Sequence, residues 1–134
     1  MKIFVDKNAE IIVELFTYTD SNGKDYIWTR NIKDNQPASI ETITEGIQKN
    51  RIIFRLSSYK DNLELLDNAM RMDAAGTFTV SASTLTFAKF TKLLKSWDFK
   101  DDAGNAIPVS NDMIANFQNN IAQLILRDYD MQTA

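Results

Sequence analysis

The chain has 134 residues, a hydrophobic fraction of 44% and a net charge of −3, which fit one globular domain rather than a disordered chain or a basic duplex-DNA binder. Cysteine and histidine are both absent, which excludes disulfides, thiol nucleophiles, Cys/His zinc sites and Ser-His or Cys-His catalytic arrangements. No apolar run approaches the ~18 residues of a membrane span, and early charges interrupt any signal-peptide core. We therefore expect a single-domain (residues 1–134), cytoplasmic, non-enzymatic protein without cofactor or metal.

The first half of the chain reads mainly as strands. Residues 11–32 are rich in β-branched and aromatic side chains that alternate with polar ones, and Asn22-Gly23 lies in their middle. This pattern predicts a β-hairpin closed by a tight turn. Ile40, Ile43 and Ile47 follow at helical spacing, which predicts a short helix with Ser39 as its N-cap. Residues 51–56 read as a buried strand.

The second half is dominated by helical periodicity. Steps of four, three and four separate Tyr59, Leu63, Leu66 and Met70, which predicts an amphipathic helix over residues 59–73. Leu65, Ala69 and Met72 widen this apolar stripe on one flank. Ser58 and Asp61 resemble a capping box at the start of the helix. Residues 77–81 then read as a short strand.

Two further helices are predicted. The first is capped by Ser81 or Ser83, and its apolar stripe is Phe87, Phe90, Leu94 and Trp97. A polar turn follows at residues 101–104, and Ser110 then caps a last helix. The apolar positions of that last helix are Ile114, Phe117, Ile121, Leu124 and Ile125.

The order of these elements predicts the fold class. Strands come first and helices dominate afterwards, which favours α+β over a wound parallel sheet. We expect an N-terminal antiparallel β-hairpin or small sheet, with three to four helices concentrated in the C-terminal half.

Two groups of acidic residues could form chemical sites. Asp98, Asp101 and Asp102 precede Gly104, but they lack the alternate spacing and closing Glu of a calcium loop, which favours a solvated turn. Glu41 and Glu45 share a face of the predicted short helix, where a solvent-facing pair is the default interpretation.

Two basic groups could instead contact nucleic acid. One lies on the strand over residues 51–56 and just before it, and the other follows the polar side of the helix capped by Ser81 or Ser83. Their members are Lys49, Arg51 and Arg55, then Lys89, Lys92 and Lys95. A charged outer face opposite an apolar stripe is the commoner explanation, so we expect no nucleic-acid partner.

The two tryptophans suit either core packing or an interface. Trp97 ends an apolar run and precedes the polar turn, and Trp28 lies in the hairpin. For Trp97 the pattern predicts that the ring pins the turn and fixes how the flanking helices pack.

The stretch around Trp97 resembles a motif of small tail-region proteins of tailed bacteriophages. The motif runs L-L-x-x-W, then D/N-F/L-x-D-x-x-G-x-x-I/L-P-V-S/T, then a helix. The matching residues are Leu93, Leu94, Trp97, Asp98, Phe99, Asp101, Gly104, Ile107, Pro108, Val109 and Ser110. The resemblance covers about residues 92–125. This part of the chain is similar to tail assembly chaperones and related minor tail proteins. Upstream, Trp28 with Arg30 and then Thr44-Glu45-Gly46 follow the same order loosely.

The resemblance implies a bacteriophage or prophage protein that acts in tail assembly through protein contacts. Its partners would be the tail tube or tape-measure protein, with a homo-oligomer as a further expectation. A virion component of the neck, tail-completion or baseplate region is the first alternative, and a small nucleic-acid-associated regulator is the second. The residues expected to carry the structural or interaction role are Trp97, Phe99, Asp101, Gly104, Pro108 and Ser110.

Overall fold

The computed structural model describes residues 3–72 and 74–134, and the side chain of Arg71 is outside that description. The described part forms a mixed α+β fold, as the order of the sequence patterns predicts. Strands fill most of the first half, and helices most of the second. The elements are β1 (Glu10–Thr19), β2 (Asp25–Thr29), β3 (Gln48–Arg55), α1 (Tyr59–Ala69), β4 (Met70–Met72), β5 (Phe78–Val80), α2 (Ala82–Leu93), β6 (Leu94–Trp97), α3 (Asn111–Ala115) and α4 (Asn119–Thr133).

The main sheet is antiparallel throughout, in the order β2-β1-β3-β6. The predicted hairpin is confirmed as β1 and β2, which pair from Leu15 with Thr29 to Thr19 with Asp25. In its turn the Asp20 carboxylate accepts the backbone N–H groups of Asn22 and Lys24, and Gly23 takes a φ of 81°. Glycine adopts that left-handed conformation without steric cost, so the Asn-Gly signal has a physical basis.

One face of the sheet carries the core. Val13, Leu15, Ile52 and Phe54 point to this face because side chains alternate along a strand. Helices α2 and α4 pack against it, and the Phe54 ring makes edge contacts with Phe90 and Tyr129 at 5.3 Å between ring centroids. The remaining members of this buried cluster are Ile32, Leu93, Ile114, Leu124, Ile125 and Leu126.

Four sequence predictions need correction. Residues 40–42 form one 3-10 turn instead of a helix, Ser39 gives no side-chain cap, and the chain is already extended at Ile43. Gly46, at a φ of 88°, stops further helical winding. Helix α1 ends at Ala69, and residues 70–72 pair as a strand with β5; position 73, the predicted helix end, lies outside the described residues.

The other two corrections concern the C-terminal half. Helix α2 begins after Ser81, whose hydroxyl accepts the Thr84 N–H, but it ends at Leu93. Trp97 therefore lies on a strand, because residues 94–97 pair with β3 instead of continuing the helix. The predicted last helix is two helices separated by residues 116–118.

Candidate functional site

Trp97 contacts several parts of the motif that surrounds it. Its indole Nε1 donates a hydrogen bond of 2.6 Å to the carbonyl oxygen of Ile107, ten residues on. The ring makes edge contacts with Phe99 at 5.5 Å and with Phe117 at 5.6 Å between centroids. Such aromatic pairs stabilise by about 0.5–1.5 kcal/mol beyond area burial. The tryptophan thus joins the sheet edge to the loop before α3 and to the residues between α3 and α4.

The turn of the motif is a small hairpin with an aspartate at its base. Lys100 pairs with Ala106, and the Asp101 carboxylate accepts the N–H groups of Ala103 and Asn105. Gly104 takes a φ of 83° and donates its N–H to the Asp101 carbonyl. Asp20, Gly23 and Lys24 repeat this hydrogen-bond pattern in the β1–β2 turn. The Asp-x-x-Gly part of the motif therefore forms a hydrogen-bonded turn that occurs twice in the chain.

The remaining motif residues lie beside that turn. The Ser110 hydroxyl accepts the Met113 N–H at 3.1 Å and caps α3, as the sequence predicts. Pro108 is exposed, and Phe99 is partly buried against the core cluster. Trp97, Phe99, Ile107, Met113 and Phe117 border a shallow apolar cleft of about 190 Å³. The structure brings the predicted residues together, and their role in an interaction stays a prediction.

Asp98 has a structural function at the end of β3. Its carboxylate accepts the Arg51 N–H at 2.9 Å and the Asn50 side-chain amide at 3.0 Å. In residues 3–72 and 74–134 no group of three or more acidic, histidine or cysteine side chains is placed to hold a metal ion.

Helix α1 carries an apolar face that the protein does not bury. Tyr59 is 80% exposed, and Leu63, Leu66 and Met70 are all exposed as well. The buried side consists of Asp61, Leu65 and Ala69. At 3.6 residues per turn these two faces are centred more than a third of a turn apart. The predicted apolar stripe therefore lies on the solvent side. Leu65 and Ala69 of its predicted flank face the core, whereas Met72 of that flank is exposed on β4.

An ion pair accounts for this rotation. Both guanidinium nitrogens of Arg55 bind the Asp61 carboxylate, at 2.6 and 3.0 Å. Asp61 also accepts the Ser58 N–H, and the Ser58 hydroxyl accepts the Asp61 N–H, so the predicted capping box is confirmed. The Arg55 hydrogen bonds hold the pKa of Asp61 well below its usual range, against the opposing effect of burial. The pKa of Arg55 is raised by the same hydrogen bonds.

The two-stranded ribbon of β4 and β5 extends the exposed apolar surface. Met70 pairs with Val80, and Met72 pairs with Phe78. Side chains of directly paired residues share one face of an antiparallel ribbon, and all four are exposed. We call the combined surface the α1–ribbon face. Its members are Tyr59, Leu63, Leu66, Met70, Met72, Phe78 and Val80.

A groove lies at the other end of α1. It has a volume of about 640 Å³, and its apolar wall comes from Ile3, Phe4, Val5 and Tyr59. Ile3 and Phe4 are largely exposed. Tyr59 therefore belongs both to this groove and to the apolar stripe of α1.

Five of the six residues in the predicted basic groups form ion pairs within the protein. On α2, Lys89 pairs with Asp130 and Lys92 with Glu64, and on β6 Lys95 pairs with Glu10 at 3.0 Å. The Lys92 contact lowers the pKa of Glu64. On β3, Lys49 lies 3.3 Å from Glu14, and Arg55 binds Asp61. These carboxylates reduce the positive charge that the two groups could offer to a phosphate backbone.

Glu41 and Glu45 do not share a helix face, because that helix does not form.

Sequence reasoning missed a buried polar centre on α4. Asp128 is fully buried, and its carboxylate accepts the Thr29 hydroxyl at 2.5 Å and the Gln132 side-chain amide at 2.6 Å. The Asn31 side-chain amide donates to it at 3.3 Å. Position 128 continues the apolar stripe of Ile121, Leu124 and Ile125, and a carboxylate at such a position was the available signal. Among the described residues, no buried side-chain nitrogen or oxygen lacks a hydrogen-bond partner, so this centre is satisfied and structural.

None of the helices in the described residues is both long and apolar enough to cross a membrane. No protein-family model matches the sequence, and no curated protein and no solved structure is significantly similar to it.

Proposed function

We propose that this protein is a non-enzymatic bacteriophage or prophage protein that acts in tail assembly through contacts with other proteins, in a chaperone-like role. The observation that carries the contact function is the α1–ribbon face, which holds seven exposed apolar side chains on α1 and on one face of the ribbon that follows it. Exposed apolar surface on this scale marks interaction sites, since a monomer gains by burying it. The assignment to tails rests on the resemblance over residues 92–125.

The polar chemistry of the chain also supports a contact function. Its prominent carboxylates act as caps, turn acceptors and ion-pair partners, as Asp61, Asp101 and Asp128 illustrate. A chaperone-like protein would cover an apolar segment of the tail tube or tape-measure protein in the host cytoplasm until assembly. The α1–ribbon face offers aromatic and methionine side chains for that purpose, and methionine adapts to irregular partners.

A virion component is the second candidate, and the four-stranded sheet, with three of its strands in the first half of the chain, favours it. A mostly helical chaperone would not be expected to contain such a sheet. In this role the same face would hold the protein permanently in the neck, tail-completion or baseplate region.

Site-specific photo-cross-linking in the native host tests the proposal. A photoreactive amino acid replaces Leu66 in the α1–ribbon face, and the matched control carries it at exposed Asn22 in the β1–β2 turn. After induction of the phage, we expect the tail tube or tape-measure protein on residue 66 and not on residue 22. Finished particles are then compared with the lysate. Absence of this chain from particles supports the chaperone role, and its presence supports the virion role.

Cross-linking of no tail protein at residue 66, together with absence from particles, would contradict both roles. Equal cross-linking at residues 66 and 22 would contradict the assignment of the contact to the α1–ribbon face.

A further inference from the structure

We propose that, before a tail protein binds, the α1–ribbon face is covered by a second copy of this chain, with the two α1 helices antiparallel about a two-fold axis; this inference rests on the proposed contact function of that face. Tyr59, Leu63 and Leu66 of α1, with Met70 directly after its end, have the four-three-four spacing of a coiled-coil seam. An axis between positions 64 and 65 places Leu63 against Leu66 of the second copy, and Tyr59 against Met70. The exposed stripe is thus complementary to itself when one helix is reversed.

The charges beside the seam fit the same arrangement. Lys60 and Asp67 are seven residues apart on one flank of the stripe, and both are exposed. Equivalent flanks of two antiparallel helices face each other, so Lys60 of each copy approaches Asp67 of the other. Parallel helices would not bring these residues of one flank together. Charges that flank a seam select partner and orientation in this way. Lys60 also lies 3.8 Å from Glu64, an exposed pair that leaves the lysine able to contact a second carboxylate.

The ends of the face are complementary as well. In the antiparallel arrangement the ribbon of one copy extends beyond the start of the other α1. There it meets the groove lined by the exposed apolar residues Ile3, Phe4 and Tyr59, and by charged residues that include Lys7 and Lys60. Met72 and Phe78 at the ribbon tip are the side chains placed to enter that groove. Both ends of the apolar surface are covered by the same two-fold operation.

The available area suits a stable dimer. Seven exposed apolar side chains, at roughly 100 Å² each, approach the ~800 Å² that each partner buries in a standard interface. The groove residues add to this area. A two-fold contact also closes on itself and does not lead to open filaments.

Sedimentation analysis of the purified full-length chain tests the dimer. We expect a monomer–dimer equilibrium with a dissociation constant in the micromolar range, and Leu66→Glu should weaken it by at least about 100-fold by placing a charge in the seam. Circular dichroism confirms that this variant is folded, since Leu66 is 44% exposed and contributes little to the core. The control Asn22→Glu adds the same charge in the β1–β2 turn and should leave the equilibrium unchanged.

A charge reversal tests the orientation. Lys60→Glu and Asp67→Lys should each weaken the dimer by about fivefold, since every change affects two symmetric exposed pairs. The combination Lys60→Glu with Asp67→Lys should restore the original constant. If either charge change weakened the dimer only by disturbing the fold, the two effects on the dissociation constant would add in the double variant instead of cancelling.

Three results would overturn the inference. The first is a chain that stays monomeric at about 200 µM, roughly two orders of magnitude above the expected dissociation constant. The others are a dimer that Leu66→Glu does not weaken, and charge variants whose effects on the dissociation constant add in the double variant. Cross-linking of a tail protein at residue 66 with a monomeric purified chain would overturn the dimer and leave the proposed function standing. A dimer without any tail protein at that position would do the reverse.

Discussion

Helices α1 and α4 carry similar apolar stripes, but the protein buries only one of them. Leu124 and Ile125 of α4 lie in the core, whereas Leu63 and Leu66 of α1 are exposed. Both helices are amphipathic, so the period alone does not decide which face turns inward. Helical periodicity identifies a surface that can be buried, and the remaining contacts decide what buries it.

One aspartate on each helix accounts for the difference. Asp128 of α4 lies on the same side as the apolar stripe and accepts a hydrogen bond from Thr29 of β2. The stripe and the hydrogen bond therefore favour burial of the same helix face. Asp61 of α1 lies away from the stripe and binds Arg55 of β3. Turning the α1 stripe inward would carry Asp61 away from Arg55 and separate a half-covered ion pair, which is costly. The apolar face of α1 is thereby left for a partner.

Neighbouring leucines on α1 offer the largest test of this contrast. Leu65 is 4% exposed and Leu66 is 44% exposed, so Leu65→Ala should lower the free energy of unfolding by about 3 kcal/mol. Leu66→Ala should lower it by about 0.5 kcal/mol or less, because the side chain already contacts water. Urea denaturation at sub-micromolar protein gives both values without a contribution from self-association. Equal losses would show that α1 is not rotated as described.

The Asp61–Arg55 pair is the next largest effect. Asp61→Asn keeps the size of the side chain but removes the charge that binds Arg55, and we expect a loss of about 2 kcal/mol, below the range for fully buried pairs. The guanidinium is partly exposed and can return to water, which limits the loss. Asp67→Asn, on the exposed side of the same helix, is the matched control and should change stability by about 0.5 kcal/mol or less. A loss of equal size in both variants would contradict the role of the pair in holding α1.

Much of the architecture was predictable because local signals dominate it. Alternation and the Asn22-Gly23 turn predict the β1–β2 hairpin, and short-range hydrogen bonds place the caps at Ser58 and Ser110. The errors arose where distant pairing outweighs local pattern. Residues 94–97 have helical spacing with α2, yet they pair with β3, whose Ile52 and Phe54 need a neighbour on that side.

The candidate site was only partly accessible to sequence reasoning. The cluster around Trp97 was predicted because its turn residues are adjacent in the chain. The α1–ribbon face was not, since the rotation of α1 depends on Arg55, which belongs to another element. The Asp128 centre was missed for the same reason, because Thr29 lies 99 residues away.

The pH dependence of stability sharpens the comparison at Asp61. Its pKa in the folded protein is lowered, mainly by the Arg55 hydrogen bonds, so the unfolded chain binds the proton more readily. The stabilisation is therefore complete above the ordinary value of about 3.9 and is lost as pH falls toward the lowered folded pKa. Glu64, whose pKa is lowered by Lys92, acts in the same direction. The difference in stability between wild type and Asp61→Asn should therefore be smaller at pH 3 than at pH 7 in denaturation curves, and a constant difference would contradict the assignment.

Trp97 offers the smallest and most local test, at the entry to the well-buried helix. Trp97→Phe keeps an aromatic ring beside Phe117, two residues before α4, and removes the hydrogen bond to the Ile107 carbonyl. We expect a loss of about 1 kcal/mol from that bond and the lost ring area. Asp102→Ala, at the exposed tip of the same turn, should change stability by about 0.5 kcal/mol or less. Hydrogen exchange at the Asn105 and Ile107 amides should quicken in Trp97→Phe while the α1 amides keep their wild-type rates. Faster exchange in α1 as well would show that α1 and α4 are coupled. The structure instead gives each helix its own polar contact with the sheet, Asp61 with Arg55 for α1 and Asp128 with Thr29 for α4.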